Sequence, residues 1–123
     1  SAEISASGLA QVEGNFVELT ASLLPANQFG YFLNGRGTDF VPNPGGSQGN
    51  LCLAGAIGRY NQNILDTGAT GEVSLVLDLT QTPTPSGLVS VMAGETWNYQ
   101  CWHLDNNPGP TSNFTDGLSI AFL

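Results

Sequence analysis

A period of two runs through this chain and restricts its fold more than any other feature. Val17, Leu19, Ala21 and Leu23 alternate with Phe16, Glu18, Thr20 and Ser22, as in a strand with one buried face. Val73, Leu75, Leu77 and Leu79 alternate with Ser74, Val76, Asp78 and Thr80, and Leu118, Ile120 and Phe122 with Ser119 and Ala121. Ile4 and Ala6 form a short first strand with Glu3 and Ser5 outward, and further runs cover Gln28 to Asn34, Asn50 to Ala56, Leu88 to Met92 and Glu95 to Asp105. Turn residues punctuate these runs, among them Pro25-Ala26-Asn27, Pro42-Asn43-Pro44-Gly45-Gly46, Pro83-Thr84-Pro85-Ser86-Gly87 and Pro108-Gly109-Pro110. No stretch carries an apolar stripe at helical spacing. About eight short strands at this spacing predict an all-β fold, a two-sheet antiparallel β-sandwich of jelly-roll-like or immunoglobulin-like type. At 123 residues the chain makes one domain, 1–123.

The run from Glu95 to Asp105 carries the most chemistry. Trp97, Tyr99, Cys101 and His103 share one face and Asn98, Gln100 and Trp102 the other. The first face reads as core. Trp102 then stands on a face otherwise polar, where an exposed indole wants a partner, either a covering loop or a ligand. Trp102, Tyr60 and Gln100 are therefore the candidate ligand-binding residues, with carbohydrate the class such sandwiches often take. Cys52 and Cys101 both stand in strand-like contexts. The expectation is a Cys52–Cys101 bridge, whose long loop would contribute roughly 4 kcal/mol. Two buried free thiols are the other reading.

Charge excludes some partners. Ten acids face two arginines, Arg36 and Arg59, with no lysine, a net charge of −8. Nucleic-acid backbones and anionic bilayers would be repelled, and no apolar run approaches the ~20 residues of a membrane span. No charged start and apolar stretch mark a signal peptide, so a mature chain beginning at Ser1 after removal of an upstream segment is expected. His103 is the lone histidine and no Gly-x-Ser-x-Gly elbow accompanies it, which leaves a hydrolytic triad without its parts. The glycine-rich stretch Asn43 to Asn50 lacks the lysine and following helix of a phosphate loop and reads as a long turn. Glu18, Glu72 and Asp78 fall at outward positions with nothing to pair them as glycosidase acids. No cofactor is expected beyond calcium, for which Asp105 and Asp116 bracket a turn and would have to converge. Asn113-Phe114-Thr115 forms a glycosylation sequon at Asn113.

Five phrases share a further property. They are Leu24 to Phe32, Asn43 to Leu53, Ala56 to Tyr60, Gly94 to Gln100 and Thr111 to Gly117. Their order resembles a C-terminal domain that recurs in large secreted or surface proteins of planctomycete-type bacteria, over nearly the whole chain. The resemblance implies an extracellular accessory module for attachment, sorting or assembly, with no activity to carry over. It implies a small residue where Cys101 stands, which would make the bridge a local feature. The first functional expectation is a non-catalytic structural or interaction module at the cell surface. It would self-assemble into a layer or fibre through its terminal strands, Ile4 to Ala6 and Leu118 to Leu123, with copies of itself or other surface proteins as partners. The alternative is a carbohydrate- or small-ligand-binding module.

Overall fold

The computed structural model describes residues 2–105 and 111–123, and the turn expected at Pro108-Gly109-Pro110 lies outside them. The alternating segments become strands. β1 (Glu3–Gly8), β2 (Val17–Ser22) and β8 (Val73–Leu77) form an antiparallel sheet in the order β1-β2-β8. Its inward residues, Ile4, Val17, Leu19, Ala21, Val73 and Leu77, are all buried.

The larger sheet is built on β3 (Phe29–Gly35) and β11 (Thr96–Asp105), paired from Asn98↔Gly35 to His103↔Gly30. β12 (Thr111–Phe114) and β13 (Leu118–Ala121) follow one another along the far side of β11. β6 (Gly58–Arg59) and β7 (Leu65–Asp66) do the same along β3. The inner face of this sheet, Phe32, Trp97, Tyr99, Cys101 and Ile120, closes against the three-stranded sheet in one apolar cluster. This is the antiparallel sandwich that the alternation predicts. β9 (Thr82–Thr84) and β10 (Gly87–Val89) make a small separate hairpin. No helix of the described residues is long and apolar enough to cross a membrane.

A second hairpin adds a third layer. Among the described residues β4 (Gly37–Pro42) and β5 (Asn50–Ala54) pair only with each other, and they lie on the outer face of the large sheet. Gln100 fastens them there: its Nε2 donates to Asn50 O and Thr115 O (both 2.7 Å), and its Oε1 accepts from Cys52 N (2.9 Å). Asn98 Nδ2 donates to the carbonyls of Gly35 (3.2 Å) and Gly37 (3.4 Å) beside it. The face of β11 read as solvent-facing is thus buried at Asn98 and Gln100, because a polar amide under a hairpin satisfies backbone groups that an apolar side chain would orphan.

The third layer also overturns the expected bridge. Both cysteines are free thiols. Gln100 reaches Cys52 on the outer face, and its neighbour Cys101, half a period on, points into the inner core. The large sheet therefore stands between the two sulfurs. Burial pushes the Cys101 thiol up to about 12.

The terminal strands are tied to each other. Asp116 Oδ1 accepts from Ile4 N (2.8 Å), and Asp116 N donates to Ala2 O (3.4 Å). At the far end Leu123 N donates to Ala10 O (2.8 Å) and Val12 N to Leu123 O (3.0 Å). Self-pairing with a neighbouring copy along β1 and β13 would have to work around these bonds, with only a short stretch between them open.

Candidate functional site

The hairpin covers the upper rows of the outer face and stops. Below it, β3 and β11 continue with Tyr31 opposite Trp102, and Trp102 opposite Phe114 on β12. The Tyr31 and Trp102 rings lie 5.1 Å apart at 34°, a cross-strand aromatic contact of the kind that stabilises sheets. Two residues along each strand, Phe29 (53% exposed) and Leu104 (39%) stand on the same face, and Ile64 (61%) flanks Tyr31 just before β7. The result is an apolar, largely aromatic platform whose centre, Tyr31, Trp102 and Phe114, is half-buried and whose rim, Phe29, Leu104 and Ile64, is exposed.

One rim of this platform comes from the hairpin tip. Asn43 (φ 50°) and Gly45 (φ 57°) turn the chain in left-handed conformations through a short 3-10 turn at Pro44–Gly46, so the glycine-rich stretch is the long turn it was read as. Ser47 Oγ and Gln48 N both donate to Ser112 O (2.8 and 2.9 Å), which docks the tip on β12. Gly49 permits that approach, since a Cβ there would overlap the Asn113 side chain and Phe114 N. Between the tip and the platform lies a cleft of about 530 Å³, where Gln28, Asp105 and Ser112 meet Trp102 and Leu104.

A larger cleft, about 640 Å³, opens at the β6 edge between the Tyr60–Asn63 loop and the β9–β10 hairpin. Arg59 and the amides of Asn61, Gln62 and Gln81 line it. Tyr60 forms its inner wall, and burial pushes its hydroxyl up to about 12. Behind it, Asn34 Oδ1, Thr82 Oγ1 and Tyr99 OH are buried without a hydrogen-bond partner among the described residues, a polar centre inside an apolar core.

The three residues expected to bind together are therefore placed apart. Trp102 is on the platform, Tyr60 walls the edge cleft, and Gln100 is fully buried under the hairpin with its amide spent on backbone groups. The calcium pair fails to converge as well. Asp105 pairs with Thr111, whereas Thr115 already lies beside Cys101, which sets Asp116 about 15 Å from Asp105 along the strand. No cluster of three or more metal-ligating side chains occurs among the described residues. Asn113 is half-buried on β12, its Oδ1 accepting from Phe114 N (2.8 Å), and the sequon's Thr115 hydroxyl is buried between Cys101 N and Asp116 O. His103 is buried with Nδ1 against Leu104 O (3.1 Å) and Nε2 without a partner among the described residues, and burial lowers its pKa.

Sequence reasoning missed Tyr31, Phe29, Ile64 and Arg59. Their own runs show no special spacing, and only the pairing of β3 with β11, β6 and β7 gathers them around Tyr31 and Trp102. Compared with known proteins, the chain matches no protein-family model and no curated protein.

Proposed function

We propose that this chain is a non-catalytic carbohydrate-binding module that works outside the cell, with the Tyr31–Trp102 platform as its binding face. The observation that carries the reading is the partly exposed Tyr31–Trp102 pair, continued along β3 by the exposed Phe29, beside a cleft lined by the hydrogen-bonding side chains of Gln28, Ser112 and Asp105. A pyranose ring presents C–H faces that are apolar and slightly positive, and these settle on the negative face of an aromatic ring. Its hydroxyls then need donors and acceptors at the rim, which Gln28, Ser112 and Asp105 supply. The extracellular setting is supported by the resemblance and by a lysine-free surface dressed in Ser, Thr, Asn and Gln.

A glycan array tests the reading. Wild-type protein is expected to bind a defined set of oligosaccharides and Trp102→Ala to lose them while keeping its melting midpoint within a few degrees. Binding that survives Trp102→Ala, or no binding to any glycan, would refute it. The self-association reading retains one specific observation. Among the described residues β8 has no strand on its outer side, and it exposes Val76 (57%) with no charge of its own. Sedimentation at increasing concentration decides that point, a persistent monomer counting against it.

A further inference from the structure

Resting on the carbohydrate reading above, we infer that the bound glycan carries an isolated acidic sugar whose carboxylate is read by Arg59 at the upper end of the platform. The chain has only two cations, so the state of each is informative. Arg36 is committed: its Nη1 meets Glu95 Oε2 at 2.8 Å, its Nε donates to Thr96 O (3.0 Å), and its guanidinium lies 5.3 Å from the Trp97 ring. Arg59 is exposed and makes no ion pair among the described residues.

Its place in the sheet gives that free charge a purpose. Arg59 is paired opposite Leu33 on β3, and Tyr31 lies two residues along, so Arg59 and Tyr31 are diagonal cross-strand neighbours on one face, about 7–8 Å apart. A guanidinium at that distance can fork onto a carboxylate of a sugar stacked on Tyr31 and Trp102. The amides of Asn61 and Gln62 beside it, in the same cleft, supply neutral donors that need no counter-ion.

The other charges set the ligand's direction. Asp66, opposite Phe29 on β7, and Asp105, in the hairpin-tip cleft, sit at the lower end of the platform, about 13 Å from the Leu33 level. They repel a carboxylate there, so the acidic sugar lies at the Arg59 end. A net charge of −8 disfavours a dense polyanion as a whole, whereas one acid among neutral sugars meets mainly the local field, because distant charges are screened beyond about 8 Å at physiological salt.

The test is an array of neutral oligosaccharides printed beside counterparts that differ only by one uronic acid branch, probed with wild type, Arg59→Gln and Trp102→Ala. The expected result is that wild type binds the uronate member of a pair roughly tenfold more tightly, one charge-assisted contact's worth. Arg59→Gln should abolish the preference while still binding the neutral member, and Trp102→Ala should lose both. Equal binding of paired glycans by wild type, or a preference that survives Arg59→Gln, overturns the role of Arg59 and leaves the platform standing. Absence of binding to either member by wild type overturns the platform and the acidic sugar together.

Discussion

Gln100→Met separates the structural role of Gln100 from ligand binding. Methionine fills a similar volume without a polar atom able to replace the amide. Three backbone groups lose their partner: Thr115 O, which is buried, and Asn50 O and Cys52 N, which are partly so. An unsatisfied buried carbonyl costs about 1–3 kcal/mol, and each partly buried group about 0.5–1 kcal/mol. The expected loss is therefore about 3 kcal/mol. With an unfolding entropy near 2.1 cal/mol/K per residue, a chain of 123 residues loses about 4 °C per kcal/mol, so the melting midpoint should fall by roughly 12 °C.

The same substitution should leave glycan affinity unchanged in the folded fraction, since Gln100 lies under the hairpin and offers nothing to the platform. Differential scanning calorimetry gives the first quantity and titration well below the midpoint gives the second. Hydrogen exchange adds a spatial check, because the amides of β5 should lose protection before those of β2. A midpoint that drops by less than about 4 °C, under 1 kcal/mol, would refute the argument that this amide fastens the third layer. So would a large loss of affinity in a protein that is still folded.

Three other outcomes follow. His103 should make stability depend on pH in one direction: burial holds its folded pKa below the ordinary 6.5, so the unfolded chain takes up a proton that the folded one resists. Its contribution is complete above about pH 6.5 and is lost as the pH falls towards the folded value; urea midpoints from pH 7 to 5 should fall, and His103→Gln should flatten that slope. Thiol titration of native protein should label Cys52 in preference to Cys101, which should react only on unfolding; a mass two hydrogens short before reduction would contradict the opposite-face placement. Asp116→Ala should cost about 1 kcal/mol and speed exchange of the Ile4 amide while sparing Leu19, with no change in midpoint on adding calcium or chelator to the wild type; a rise with calcium would show a site binding the native state.

The division of the fold into legible and illegible parts follows from what alternation encodes. β2 and β8 were readable because each has one wet face, so apolar and polar residues separate cleanly along the chain. β4 was not, because its residues Gly37 to Pro42 are nearly all exposed and it pairs only with β5. β6 and β7 are two residues each, too short for any period to appear. In β11 the alternation separates the two faces, and the one carrying Trp97, Tyr99 and Cys101 is core, as its composition predicts. What failed was the step from a polar face to a solvated one, because buried amides look the same in sequence as exposed ones.

That step also decides where the binding face lies. Along the outer face of β11 the order Asn98, Gln100, Trp102, Leu104 runs from buried amides to exposed apolar groups, the reverse of what a free surface would select. The amides are inside because the hairpin backbone above them has no other partners. The indole is partly outside because the hairpin ends at Asn43–Gly49, where its tip is fastened to Ser112 instead of folding over Trp102. A longer β4–β5 hairpin would have buried Tyr31, Phe29 and Trp102 at a gain of about 25 cal/mol per Å² of apolar surface. The sheet leaves that gain untaken over these side chains, and the carbohydrate reading gives the uncovered surface its occupant.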